Sequence, residues 1–246
     1  IGQPPDPDIY YANNGTAIMI NAYEGLVQYA NNTDTVKIAP PRLAETWEVN
    51  PPGNDVYTFH LRKGVTFHDG TPPFTSAAVD VAFKRRIAVK GGAAYMVEAV
   101  KSVTTPDDYT AVITLNKPNT AFLSYLASPF GPKMESPKGL KANAGSDDAQ
   151  TYLSSHDLGT GPYQLTTAQT GVKYEMTQYD GYWGGRSHRS RRSNCRSTPT
   201  NRRSSWLSTT APSTPSWRRC RPRAWTSTRP RTASPTTSCR RCRARW

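Results

Sequence analysis

Apolar and polar residues alternate most clearly in the first third of this chain. Tyr57, Phe59 and Leu61 are separated by single polar residues, the two-residue period of a strand with one buried face. Lys63-Gly64 is a turn signal, because glycine adopts a positive φ without a steric clash. The apolar alternation resumes at Val65, so the pattern predicts a β-hairpin.

Helical periodicity follows the predicted hairpin. Val79, Ala82 and Phe83 are spaced three or four apart, which predicts a helix over about 77–86 with one apolar face. Thr75 or Ser76 is placed to cap its N-terminus.

An earlier helix is predicted over 17–29, with Thr16 as its cap. Gly25 inside it indicates either close packing or an early helix end, since glycine disfavours a helix interior.

Shorter patterns predict further elements. β-branched residues on both sides of a Pro-Asp-Asp turn predict a second hairpin. The remaining predictions are helices over 118–127 and 147–154, a short helix over 93–99, and strands over 163–165 and 173–178.

Charge divides the chain into two parts. The formal net charge of +13 comes wholly from 186–246, which contains 17 Arg and no acidic residue, whereas 1–185 contains 14 Lys+Arg against 18 Asp+Glu. The basic segment has a single Leu and no Val, Ile, Phe or Tyr. It therefore has little to bury, and we expect it to be disordered.

The composition of 186–246 also points to its origin. Arg, Ser, Thr, Pro, Ala, Cys and Trp make up 57 of its 61 residues. All seven can be encoded with C or G at the middle codon base, as expected when a GC-rich gene is read out of frame. We hypothesise a frameshift close to Gly185. Reading the DNA in the other two frames tests it, since one of them should restore an alternating apolar pattern.

The chain begins at Ile1 without a charged-then-apolar leader, so we expect a leader or a longer N-terminus to have been removed or not sequenced. No apolar run approaches the ~18 residues that span a bilayer. All 4 Cys lie in 186–246, so 1–185 has no disulfide framework, as in many exported and many cytosolic proteins.

Catalytic chemistry finds little support in the residues. The chain lacks the G-x-S-x-G motif that forms the nucleophile elbow of a serine hydrolase. Its lone C-x-x-C, at Cys239, lies in a segment without a predicted core, so a metal site is not indicated there. Gly159-Thr160-Gly161 lacks the Lys-Ser/Thr that completes a phosphate loop. We therefore expect no enzyme, no metal site and no cofactor.

Two non-catalytic interpretations remain open. The Arg/Ser-rich segment 186–246 could bind RNA electrostatically, which salt-dependent RNA retention would reveal. Alternatively, a Tyr-, Trp- and Asn-rich domain suits a cleft for a polar organic ligand. Asn13 and Asn14, beside Tyr11, could serve such a cleft or ordinary turn chemistry.

Several ordered motifs resemble family 5 solute-binding proteins, the peptide-, dipeptide- and nickel-type receptors of ABC importers. The motifs run in the family's order and cover essentially all of 1–185: Tyr23-Glu24-Gly25-Leu26, Pro41-Arg42-Leu43-Ala44-Glu45-Thr46-Trp47, Tyr57 to Gly70, Phe74-Thr75-Ser76, Leu115-Asn116-Lys117-Pro118, Gly159-Thr160-Gly161-Pro162-Tyr163 and Tyr182-Trp183-Gly184-Gly185. The chain departs from the family at Pro40-Pro41, Pro72-Pro73 and Ala77 to Asp80, where it looks one residue longer.

The resemblance implies an α/β, type II periplasmic-binding-protein fold with mixed sheets and an accessory α+β domain. Residues 1–24 and 133–185 would belong to one lobe and 25–132 to the accessory domain, followed by the tail 186–246. The second lobe, which comes from the C-terminal half in this family, has no counterpart in the match. We therefore interpret the chain as a truncated form with weak or no binding.

The resemblance also implies the site and its partners. Tyr11, Asn13 and Asn14 would line the cleft, with Tyr95 and Ser128 near accessory-domain contacts. The ligand would be a peptide or similar small solute, delivered to the permease subunits of an ABC importer. We expect an extracytoplasmic monomer, periplasmic or lipid-anchored, that does not bind nucleic acid.

Overall fold

The alternating stretch forms a strand at the centre of an antiparallel sheet. A computed structural model describes residues 2–30, 37–38 and 42–185, together with the backbone of 192–196. The described residues all belong to one compact unit, Ile1–Thr200. A second unit, Asn201–Trp246, lies outside the described residues.

Five helices and seven strands are described. In chain order they are α1 (Thr16–Ala22), β1 (Ala44–Val49), β2 (Val56–Leu61), α2 (Ser76–Val89), β3 (Val100–Asp107), β4 (Thr110–Leu115), α3 (Phe122–Ala127), α4 (Pro137–Asn143), α5 (Gln150–Leu153), β5 (Tyr163–Gln169), β6 (Lys173–Gln178) and β7 (Arg192–Arg196). Two 3-10 turns, Asn13–Gly15 and Ala94–Met96, precede α1 and β3.

The first sheet has the strand order β1-β2-β4-β3, with every neighbouring pair antiparallel. Tyr57 and Phe59 of β2 lie opposite Ile113 and Ala111 of β4, and all four side chains are buried. The hairpin β3–β4 is as predicted. The predicted second arm of the first hairpin is wrong, because Val65 is buried in an irregular segment and β2 pairs with β1 instead.

Helix α2 covers one face of this sheet. It begins after Thr75, as predicted, but no side chain caps it; Ser76 instead donates its hydroxyl to the Asp107 carbonyl at 2.6 Å. The apolar face predicted at Val79, Ala82 and Phe83 is buried. These residues belong to the larger core, which is drawn from residues between Leu26 and Met134.

Helix α1 is shorter than predicted, because the chain becomes extended at Tyr23. Gly25 lies outside the helix in a tight crossing: a Cβ there would sit 3.3 Å from the Pro132 carbonyl oxygen. The buried face of α1 packs against β5 and β6. This second core contains Tyr10, Ile18, Met19, Ala22, Tyr23, Tyr163, Tyr174 and Met176.

Other helix predictions are only partly right. The helix predicted over 118–127 begins at Phe122, and the one predicted over 147–154 is reduced to Gln150–Leu153. Helix α4 was not predicted, although its sequence signal is present. Ser136 accepts a hydrogen bond from the Gly139 amide at 3.0 Å, and Pro137 occupies the first turn.

The second sheet has the order β5-β6-β7 and is antiparallel throughout. Strand β7 lies in the segment expected to be disordered, so that expectation is wrong for Arg192–Arg196. The physical reason is that β6 offers unpaired backbone groups, and ladder hydrogen bonds do not depend on side-chain identity. The rest of 186–246 lies outside the described residues.

Candidate functional site

Tyr11 and Tyr95 belong to a group of four aromatic rings at the surface. The Tyr11 ring meets the Phe130 ring edge-on at a centroid distance of 5.0 Å. The Tyr95 ring meets the Tyr125 ring edge-on at 6.1 Å. Tyr11 and Tyr95 are 48% and 47% exposed, so about half of each side chain is open to solvent. We call these four residues the aromatic patch.

Tyr11 and Tyr95 bring the two halves of the aromatic patch together. Interaction with the Tyr11 side chain is the main cause of a raised pKa at Tyr95. The N-terminal segment therefore lies close to the 3-10 turn before β3. The patch presents two tyrosine side chains that are each about half exposed.

Ser128 lies at the edge of the same patch. Its hydroxyl oxygen accepts a hydrogen bond from the Phe130 amide at 3.2 Å, which orients the linker that carries the Phe130 ring. Three of the five predicted site residues, Tyr11, Tyr95 and Ser128, are thus connected through the aromatic patch.

Asn13 and Asn14 are exposed on the 3-10 turn that follows Tyr11. Asn14 accepts a hydrogen bond from the Tyr10 hydroxyl at 2.9 Å, so its side chain has a local role in the turn. No hydrogen bond or ring contact between described residues joins either asparagine to Tyr95 or Ser128. Their role in binding remains a prediction.

A buried carboxylate, Glu24, connects distant parts of the described chain. Its side chain is fully buried and receives four donors. Oε1 accepts from Arg42 Nη1 at 2.8 Å and from the Tyr182 hydroxyl at 3.1 Å. Oε2 accepts from the Thr160 hydroxyl at 3.0 Å and from Trp183 Nε1 at 2.8 Å. We call these five residues the Glu24 network.

The Glu24 network extends to Arg62 through a cation–π contact, with the guanidinium carbon 4.2 Å from the Trp183 ring centroid. Burial and the nearby Glu24 charge raise the pKa of Tyr182 to about 12, so its hydroxyl remains a donor at neutral pH. The motifs that contain these residues support the family resemblance, but nothing in the sequence predicts that their side chains meet.

A second buried ionic cluster, also not predicted, anchors the N-terminal segment to α2. Arg85 binds both oxygens of Asp6, at 2.9 and 2.6 Å, and Asp8 at 2.8 Å. Arg86 donates to the other Asp8 oxygen at 2.9 Å. Glu135 lies 3.5 Å from Arg85, and burial raises its pKa well above the ordinary value. Burial also raises the pKa of Asp8, because the two guanidinium groups offset its desolvation only partly.

His68 forms a third buried pair, with Asp157. Nδ1 contacts the Asp157 carboxylate, and Nε2 lies 2.9 Å from the Gly161 carbonyl oxygen. Burial alone would lower the pKa of His68, but the hydrogen bond and charge of Asp157 outweigh it and raise the pKa. Both ring nitrogens therefore donate, and such an imidazolium is not a general base.

The described part of the chain contains neither a candidate metal site nor a candidate membrane-spanning helix. No group of three or more His, Cys, Asp or Glu is placed to hold a metal ion there. None of the helices described is long and apolar enough to cross a bilayer. The arrangement can bind a solute against exposed aromatic rings and hydroxyls.

Comparison with solved structures identifies the class of fold. The chain resembles a periplasmic binding protein of an ABC transporter from Helicobacter pylori, solved in complex with the peptide STSA. The TM-score is 0.67 at 26% identity, and the match covers 80% of this chain and 41% of that one. The fold is thus that of the type II periplasmic binding proteins, as the sequence resemblance predicted.

The family follows from sequence comparison. The family model described as bacterial extracellular solute-binding proteins, family 5 Middle, matches residues 39–204. The chain is 30% identical over 185 residues to a probable D,D-dipeptide-binding periplasmic protein of Escherichia coli (strain K12), covering 75% of this chain and 35% of the relative. It is 33% identical over 183 residues to heme-binding protein A of Haemophilus influenzae, covering 67% of this chain and 32% of the relative.

This chain belongs to the family 5 solute-binding proteins. It spans about a third of the length of these two relatives. The names of the relatives describe binding proteins rather than enzymes, and they give no support to the nucleic-acid alternative.

Proposed function

We propose that this chain provides part of a receptor that binds a peptide or similar small solute and delivers it to an ABC importer. The main support is the aromatic patch, where predicted site residues from separate parts of the chain meet at an exposed surface. We propose a binding role without catalysis.

We propose the domain division given by the family resemblance. Residues 1–24 and 133–185 would form one lobe and 25–132 the accessory domain. Two of the three buried apolar clusters among the described residues support this division. One draws on residues between Leu26 and Met134, and the other on residues between Tyr10 and Tyr23 with Tyr163 to Met176.

The solute class follows from the chemistry of the aromatic patch. Exposed rings of Tyr11 and Tyr95 offer apolar faces, and their hydroxyls offer hydrogen bonds, so a ligand with mixed polar and apolar groups fits. Asn13 and Asn14 would add amide donors and acceptors at the same end of α1. Two relatives are named for binding D,D-dipeptides and heme, and both of these ligands combine polar and apolar groups.

The setting follows from the family. We propose an extracytoplasmic location, periplasmic or lipid-anchored at the outer face of the membrane, and a monomer that meets the permease subunits of the importer. Family members bind by closing two lobes on the solute, and the described residues provide one wall only. Binding to the 246-residue chain should therefore be weak, in the millimolar range.

Nuclear magnetic resonance of the 246-residue chain tests this proposal. Titration with a dipeptide mixture should shift the ring signals of Tyr11 and Tyr95 at millimolar peptide, and Tyr95→Ala should reduce the shift of the Tyr11 ring. Tyr152→Ala is the matched control, because Tyr152 stacks on His156 away from the aromatic patch. Shifts confined to other residues would contradict the site, and micromolar affinity by calorimetry would contradict the one-wall interpretation.

A further inference from the structure

A cavity of about 400 Å³ is lined by residues that follow α1, by Arg42 and by residues of the linker after α3. Its polar wall includes Arg42, Gln28 and the buried amine of Lys133, and its apolar wall includes Ile20 and Val27. None of the four rings of the aromatic patch lines it. The cavity is therefore a separate feature with both charged and apolar surfaces.

Lys133 is the unusual member of this wall. Its side chain is buried, with 8% of the residue exposed, and Nζ donates to the Ser128 carbonyl at 3.3 Å. It makes no ion pair with a carboxylate among the described residues. Glu24, the carboxylate on the cavity wall, is paired with Arg42 and receives three further donors. The cavity thus contains one buried cationic group without a matching anion.

The charges around Lys133 favour an added anion. Burial, followed by the positive charges of Arg86 on α2 and Arg42, lowers the pKa of Lys133 to about 7, and Glu24 opposes this only partly. An anion in the cavity would offset the two guanidinium charges and stabilise the protonated amine.

We propose that this cavity binds a small organic carboxylate, with the buried amine of Lys133 as its cationic partner and Arg42 beside it. The carboxylate would lie against Lys133, and its carbon chain would lie against Ile20 and Val27. The volume suits a ligand of several carbon atoms. This site does not depend on the solute-receptor role proposed above.

Protonation must accompany binding, because the neutral amine offers no charge. With a pKa of about 7, the protonated fraction of Lys133 falls about tenfold between pH 6 and pH 8. Affinity for a carboxylate should fall by the same factor. Arg86, Arg42 and Glu24 are the other charged groups that act on Lys133, so substitution of Lys133 itself assigns the pH dependence.

Calorimetry of the 246-residue chain with sodium butyrate at pH 6 and pH 8 tests the proposal. We expect binding about tenfold weaker at pH 8. Lys133→Met should abolish binding at both pH values, whereas Lys117→Met, which removes an exposed lysine away from the cavity wall, should leave it unchanged. Lys133→Arg should keep binding and remove its pH dependence, since arginine stays protonated.

Three outcomes would overturn the proposal. The first is equal affinity for butyrate at pH 6 and pH 8 in the unmodified chain, which needs no variant to fold. The second is equal binding of n-butanol, which would show that charge is not recognised. The third is unchanged binding in Lys133→Met, with a circular dichroism spectrum that shows a folded protein.

Discussion

Replacement of Glu24 should destabilise the described fold more than replacement of any exposed acidic residue. Glu24→Ala removes a fully buried carboxylate and leaves Thr160, Tyr182 and Trp183 without this acceptor. Arg42 loses its ion pair but keeps Gln28 and the Tyr182 hydroxyl as acceptors. Breaking a buried charge pair from one side typically costs about 3–5 kcal/mol. Arg42 is 24% exposed and recovers some hydration, which favours the lower end of that range.

The matched control for this substitution is Glu45→Ala. Glu45 pairs with Arg62 at 3.2 Å, but its side chain is 52% exposed, so the pair contributes about 0–1 kcal/mol. The two substitutions remove the same side chain and the same charge. They differ in burial and in the number of donors left behind.

Urea unfolding followed by tryptophan fluorescence measures both changes, because Trp183 is itself part of the Glu24 network. With a denaturant slope of about 2 kcal/mol per M, a loss of about 3 kcal/mol moves the midpoint by about 1.5 M. Glu24→Gln should fall between wild type and Glu24→Ala, since it keeps one acceptor and loses the charge. Equal midpoint shifts for Glu24→Ala and Glu45→Ala would refute the reasoning.

Two further predictions concern the loop that carries Gly159 to Gly161. The raised pKa of His68 means that its stabilisation is complete below about pH 6.5 and is lost as pH rises through the folded-state pKa. Because Lys133, with its pKa lowered to about 7, gains stability over the same pH range, the test compares two variants at each pH. The advantage in urea midpoint of the unmodified chain over Asp157→Asn should shrink from pH 6 to pH 9. Gly161→Ala should cost about 1–3 kcal/mol by thermal unfolding, because its Cβ would lie 2.2 Å from the Asn21 carbonyl oxygen. Gly2→Ala, with nothing within 4 Å, should cost much less.

The sequence predicted burial better than it predicted pairing. Tyr57, Phe59 and Leu61 are buried as their alternation indicated, and so is Phe67 in the presumed second arm. Phe67 nevertheless lies outside any strand, because alternation reports which side chains face the core and not which backbone groups pair. The partner strand β1 carries a weaker apolar pattern and was not assigned.

Local signals also failed where tertiary contacts decide the chain path. Helix α1 ends at Ala22 although apolar residues continue through Val27, because Tyr23 and Leu26 belong to two different cores. The boundary between the cores falls within a single apolar run. Periodicity within that run cannot reveal where one core ends and the other begins.

The sequence predicted some residues of the candidate site but not the contacts between them. Tyr11, Tyr95 and Ser128 came from the family resemblance, and the structure brings them to one patch, but the rings of Tyr125 and Phe130 that complete it were not predicted. The contacts of Arg85 with Asp6 and Asp8 were missed for a related reason. The partners are nearly eighty residues apart, and no local pattern joins them.

The Glu24 network gives a structural reason for several of the motifs on which the family resemblance rests. Glu24, Arg42, Thr160 and the pair Tyr182-Trp183 come from four separate motifs, yet all meet at one buried carboxylate. A buried charge is costly to leave unpaired, so these residues have a role in the fold that does not depend on a solute. A residue that sets ligand preference can vary freely only where it is not part of such a network. The exposed patch at Tyr11 and Tyr95 meets that condition, since its rings can change without leaving a buried charge unpaired.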